Sequence, residues 1–173
     1  MTSNLTLQDT SSFYMGYGAV PVERYALHPV DIDAVDGLWD VIQDDFELTI
    51  LDINDVDYAG RSIKHNIQEG LFSLFAIMDL AEKEASKRIC GFITVVIESN
   101  TLHLDDGEIT KKWLTVNHGF LYRETPVSDL MLSDGLRQFE AMAKEKNCNS
   151  VRIKGRSGWS KLLKKHGYNA RMV

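Results

Sequence analysis

Apolar residues recur every three or four positions at Ile32, Val35, Leu38 or Trp39, Ile42 and Phe46, the spacing of a helix with one buried face, and Asp31 stands where a cap is needed. A short strand over about Glu23–Leu27 precedes it, and a second helix is expected over about Val56–Gln68, ended by Gly70. The pattern then changes. Leu71–Leu80 and Ile89–Glu98 are rich in Phe, Ile and Val and flank a polar turn over Glu82–Lys87, which predicts a hairpin, and Trp113–Arg123 reads as a further strand. Pro126 and Ser128 open a long helix with Leu132, Leu136, Phe139 and Ala143 as its buried stripe and Asn147 as its stop. The chain closes with a strand over Val151–Lys154, a Gly-Arg-Ser-Gly turn, a basic helix carrying Trp159, Leu162 and Leu163, a Gly167 stop and a strand from Tyr168. The predicted order is β-α-α-β-β-β-α-β-α-β. Trp39, Phe92, Val95, Leu136, Phe139 and Leu162 are the expected core.

Residues 1–22 are rich in Ser, Thr and Gly with scattered aromatics and no periodicity, so they read as an arm, with one domain over 23–173. That size buries a full core. No apolar run approaches bilayer-spanning length. The first twenty residues hold no Lys or Arg and no apolar block, which predicts no signal peptide and residence in the cytoplasm. Cys90 and Cys148 have no Cys-x-x-Cys or Cys-His neighbour, so no metal is expected.

The net charge of −6 conceals a polarity. Tyr25 to Gly60 contains ten acids and no Lys or Arg, whereas Lys144 to Val173 contains nine bases and the single acid Glu145. Two solvated helix faces would satisfy this pattern, and so would one surface for cations and another for anions. The overall acidity argues against nucleic acid as a partner.

Three segments, in order, carry a family likeness: Arg88-Ile-Cys-Gly91 in the hairpin, Ala143-Lys-Glu-Lys-Asn-Cys148 at the end of the long helix, and Leu162 to Tyr168 with its Gly-aromatic close. With the element order, they make the chain resemble the GNAT superfamily of acyl-CoA N-acyltransferases over roughly residues 22–173. The Gly-Arg-Ser-Gly-Trp segment is also similar to GNAT-like proteins of tailed bacteriophages. The resemblance implies an α/β (α+β) fold with a mixed, mostly antiparallel sheet flanked by helices. It also implies acyl transfer from acetyl-CoA to an amine, here a cationic one steered by the acidic first helix.

In that family the pyrophosphate lies on a Gly-rich helix start, where backbone amides and the helix dipole favour an anion. The matching positions here are Val127, Ser128, Asp129, Leu130, Met131 and Leu132, with Leu121 on the preceding strand. The glycines are absent, and Asp129 sets a negative charge on the phosphate path. The Tyr that family members commonly use to protonate the thiolate is replaced by Leu163. His118 and Glu124 stand near where the family recruits a general base, although a structural histidine and a surface ion pair fit the same residues. Trp159 can stack on a ligand or join the core, and Arg156 and Lys161 can pair with phosphates. Two functions therefore remain open. One is an N-acyltransferase. The other is a catalytically degenerate scaffold, such as a phage virion component, that assembles through its N-terminal arm and a free sheet edge.

Overall fold

The computed structural model describes residues 22–52, 60–122, 125, 127–155 and 158–169. Five strands form one sheet in chain order: β1 (Tyr25–Pro29), β2 (Phe72–Asp79), β3 (Ile89–Leu104), β4 (Gly107–Leu121) and β5 (Ser150–Ile153). The first four pair antiparallel, and β5 pairs parallel to β4. The sheet is thus mixed and mostly antiparallel, with β3 central, as the hydrophobic pattern requires.

Helices α1 (Val35–Asp52) and α2 (Gly60–Gln68) pack on one face of the sheet. Val35, Trp39, Ile42 and Phe46 of α1 and Ile63 and Ile67 of α2 meet Phe72, Leu74, Ala76, Met78 and Phe92 there. The other face is covered by α3 (Asp129–Glu145), whose Phe139, Met142 and Ala143 pack on Leu27, Phe75, Val95, Leu114 and Val116. Ser128 caps α3 by accepting the Met131 amide at 3.1 Å, and Asn147, at φ 56°, turns the chain out of it. The short α4 (Trp159–Lys164) follows β5.

β1 lies at the sheet edge, yet its outer amides are taken. The buried Asp134 carboxylate of α3 accepts from the amides of Glu23 (3.1 Å), Arg24 (2.9 Å) and Tyr25 (2.9 Å). One turn on, Gln138 accepts from the Leu27 amide at 2.8 Å and donates to the Tyr25 carbonyl at 2.9 Å. A polar pair on an otherwise apolar helix face thereby closes the sheet edge.

Four expectations need correction. Ile32 is 49 % exposed, because a single 3-10 turn over Ile32–Ala34 precedes α1 and turns it outward. Leu162 is only half-buried. Tyr168 and Asn169 form no strand, and residues 170–173 lie outside those described, as does the arm up to residue 21. The β3–β4 hairpin is much longer than its apolar centre suggests. Its outer ribbon, beyond Val96 on β3 and before Trp113 on β4, pairs Leu102 with Ile109 and Thr101 with Thr110, whose hydroxyls lie 2.8 Å apart. Most of that ribbon is polar and exposed, so it carries no alternating burial signal.

Asp134 generates a pH prediction. Burial alone would push its carboxyl pKa up, but the three amides and the Arg137 guanidinium outweigh that and hold it below its ordinary 3.8. The folded value is below the unfolded one, so the contribution is complete above about pH 4 and is lost as pH falls towards the folded value. Asp134→Ala should cost roughly 2–4 kcal/mol at pH 7 and blunt the acid sensitivity of the melting temperature between pH 4 and 2. Chemical denaturation and thermal melts across that range check both.

Candidate functional site

β4 and β5 run together only from Trp113↔Ser150 to Val116↔Ile153, and the last bond between them is Lys154 N–H to the Val116 carbonyl at 3.0 Å. Beyond it β4 continues to Leu121 paired with β3 alone, while the other chain leaves towards α4. Among the described residues no strand covers the backbone edge of residues 117–121, which faces an opening in the sheet.

The same stretch contains a β-bulge. Val95 pairs with Val116 and Ile93 with Gly119, so β4 carries one extra residue, within Asn117-His118. Thr94 pins the bulge: its hydroxyl accepts from the His118 amide at 3.0 Å and donates to the His118 carbonyl at 3.1 Å. Close approach of β3 and β4 here depends on glycine. A Cβ on Gly91 would sit 2.0 Å from the Phe120 carbonyl oxygen, and one on Gly119 would sit 2.8 Å from Ile93 Cγ1.

A cavity of about 460 Å³ fills the opening. Ile93, Val116 and Ile153 line it from the α3 side, and Phe92, Phe120 and Tyr122 from the α1–α2 side, so it passes through the plane of the sheet. Met131, Leu132 and Leu136 of α3 roof it, and Trp159 and Leu163 of α4 stand against it. Among the described residues that line it, Lys154 is the only charged one and none is a carboxylate. Tyr122 is half-buried, and burial, followed by the charge of Asp45, pushes its phenol pKa above 10. It is therefore protonated at neutral pH.

The sequence candidates divide. Leu121, Val127, Met131 and Leu132 line the cavity. Ser128 is spent on the α3 cap, Asp129 is exposed in the first turn, and Leu130 packs with Tyr25, Cys90 and Met131. At the start of α3 the Ser128 hydroxyl holds the Met131 amide and the Ser128 carbonyl holds that of Leu132 at 3.1 Å. His118 is wholly buried beside Phe72, ring centroids 6.4 Å apart, and is not among the cavity lining. Glu124 and Arg156 lie outside the described residues. Tyr122, a tyrosine off the position matching the family's proton donor, reaches the cavity, and so does Asn117, which reads in the sequence as an ordinary strand position. A carboxamide inside an apolar strand was the available signal for Asn117. No group of three or more His, Cys, Asp or Glu residues able to hold a metal occurs among the described residues.

No protein-family model matches the chain, and no curated protein matches its sequence. Solved structures do match its fold. A predicted acetyltransferase with acetyl-CoA from Clostridium acetobutylicum superposes with a TM-score of 0.57 at 12% identity, covering 85% of this chain and 91% of that one. Glucosamine-6-phosphate N-acetyltransferase from Arabidopsis thaliana gives 0.54 at 12% identity, covering 87% and 95%. A probable acetyltransferase gives 0.55 at 14% identity, covering 84% and 91%. The fold is that of the GNAT acyl-CoA N-acyltransferases.

Two glycines at the cavity should respond oppositely to alanine. Gly119→Ala drives a Cβ into Ile93 and the Phe92 carbonyl and should destabilise by about 1–3 kcal/mol. At Gly135 of α3 the nearest atom, on Phe139, is 3.9 Å from the new Cβ, so Gly135→Ala should gain up to about 1 kcal/mol of helix propensity. Thermal melts of the two variants make the comparison.

Proposed function

We infer that this chain transfers an acyl group from acetyl-CoA to an amine, with the opening between β4 and β5 as the reaction site. The observation that carries this reading is the cavity through the sheet, which lets a thioester reach Gly119 and Asn117 from the α3 side and an amine reach the same point from the α1–α2 side. The fold neighbours support it, and the one solved with acetyl-CoA supports the choice of donor.

The residues present fit a pantetheine arm better than they fit its phosphates. The apolar lining and the free edge of β4 suit an extended chain that hydrogen-bonds to backbone. At the start of α3, Leu130 and Leu132 replace the small residues that let pyrophosphate approach, and Asp129 repels it. A cation of Lys154 at the cavity and the basic residues Lys161 and Lys164 of α4 provide compensating charge.

The bound thioester supplies an activated carbonyl; the chemistry forms one C–N bond and breaks one C–S bond. The amine nitrogen loses a proton and the departing sulfur gains one. Tyr122, protonated and on the cavity wall, can deliver that proton in place of the tyrosine that Leu163 replaces. The acidic run of α1 favours a basic molecule in the approach to the site, and Asp36, Asp40 and Asp44 are exposed there.

The projecting β3–β4 ribbon favours a second reading, a binding module on the same fold, including one within a phage particle. Leu102, Leu104 and Ile109 are about half exposed at its tip.

Isothermal titration calorimetry with acetyl-CoA separates the two. Weak binding is expected, tightened about 3–10-fold at low salt by Asp129→Asn, which removes one charge from the phosphate path. No heat at millimolar acetyl-CoA, from either protein, would leave the binding-module reading. In a transfer assay, Tyr122→Phe should lower kcat about 10–100-fold with acetyl-CoA affinity unchanged. An unchanged kcat would remove Tyr122 from the chemistry.

A further inference from the structure

Asn117 lies in the bulge and lines the cavity, and it is only 5 % exposed. Its side-chain oxygen is wholly buried and has no hydrogen-bond partner among the described residues. The Thr94 hydroxyl is occupied with both backbone groups of His118 and leaves the neighbouring carboxamide unserved. A buried acceptor without a donor costs free energy in the unliganded protein, and a ligand N–H in the cavity recovers it.

The strand's alternation indicates which ligand. Leu114 and Val116 pack towards α3, whereas Trp113 and Thr115 point the other way, where both hydrogen-bond to Glu98. Asn117 shares the parity of Trp113 and Thr115 up to the bulge, where it and His118 stand opposite Thr94, which faces the α1–α2 side between Ile93 and Val95. Asn117 therefore belongs to the α1–α2 side, opposite the roof formed by α3. Phe92, Phe120 and Tyr122 line the same side, with the Phe120 ring centroid 5.9 Å from Phe92 and 5.4 Å from Tyr122. Among the described lining residues an ammonium group there would find no carboxylate, the charge of Asp45 reaching it only past Tyr122, and it would share the cavity with Lys154. A neutral nitrogen meets no such penalty.

We propose that Asn117 is the specificity-determining residue of this pocket: it accepts a hydrogen bond from an uncharged N–H, and the pocket takes a weakly basic aromatic amine whose ring sits against Phe92, Phe120 and Tyr122. This rests on the acceptor entering from the α1–α2 side, but the binding step stands apart from acyl transfer. The acids of α1 do not attract such a neutral amine, so its selection lies in the pocket itself.

Two isomeric probes isolate the charge. 4-Methylaniline is neutral at pH 7 and benzylamine is cationic, with the same ring and atom count. Binding of each is measured without acetyl-CoA by ligand-observed NMR, for the wild type, Asn117→Leu and Asn117→Asp, together with each melting temperature. The wild type should bind 4-methylaniline at least 10-fold more tightly than benzylamine. Asn117→Leu should weaken 4-methylaniline about 10-fold with a melting temperature equal to or above that of the wild type, because the unpaired acceptor is gone. Asn117→Asp should reverse the preference. Equal binding of 4-methylaniline by wild type and Asn117→Leu, tighter binding of benzylamine by the wild type, or a lower melting temperature for Asn117→Leu overturns the proposal. Asn117-dependent binding of 4-methylaniline alongside absent acetyl-CoA binding would uphold this pocket while rejecting the acyltransferase reading.

Discussion

Asp134 and Gln138 bind α3 to the edge of β1, and the remainder of the architecture follows from that attachment. A charge buried this completely is tolerated only because its hydrogen bonds are filled, by the amides of Glu23, Arg24 and Tyr25 and by Arg137. The same helix turns Phe139, Met142 and Ala143 onto the strands near β5. It thus reaches from the β1 edge towards the opposite end of the sheet, and Met131, Leu132 and Leu136 become the roof of the cavity. Removing the polar clamp would loosen β1 and the cavity roof together.

Under that roof, two departures from regular pairing generate the site. β5 leaves β4 after Val116, and β4 inserts an extra residue immediately afterwards. The first exposes a backbone edge; the second, held by Thr94, places Asn117 and His118 at consecutive positions of the bulge. Their fates differ because His118 finds Phe72 and the core beneath α1 and α2, while Asn117 borders the cavity. Gly91 and Gly119 let β3 and β4 draw close enough for this arrangement.

Much of the fold was legible because α1 and α3 each bury one periodic face, while β2 and the first half of β3, buried on both faces, read as nearly continuous apolar runs. The helix caps at Asp31 and Ser128 and the stop at Asn147 were legible for the same reason, since each is a local interaction. The outer ribbon was not legible: Thr101, His103, Lys111 and Lys112 carry no burial signal, and cross-strand hydrogen bonds hold it. The site was only partly legible. Leu121, Val127, Met131 and Leu132 follow from the family likeness, but the standing of Asn117 depends on a bulge whose register arises from long-range pairing with β3. Nothing in the residues 116–119 alone shows that extra position. Likewise Asp134 resembles a solvent-facing helix residue until β1 is laid beside it.

On the reading proposed above, the opening between β4 and β5 receives a CoA thioester. A crystal structure of the chain grown with acetyl-CoA tests it most directly. The pantetheine arm is expected along the free edge of β4 at residues 117–121, with its acyl end beside Asn117 and Gly119. An acetyl-CoA molecule bound elsewhere on the chain, with that edge covered by protein, would contradict it.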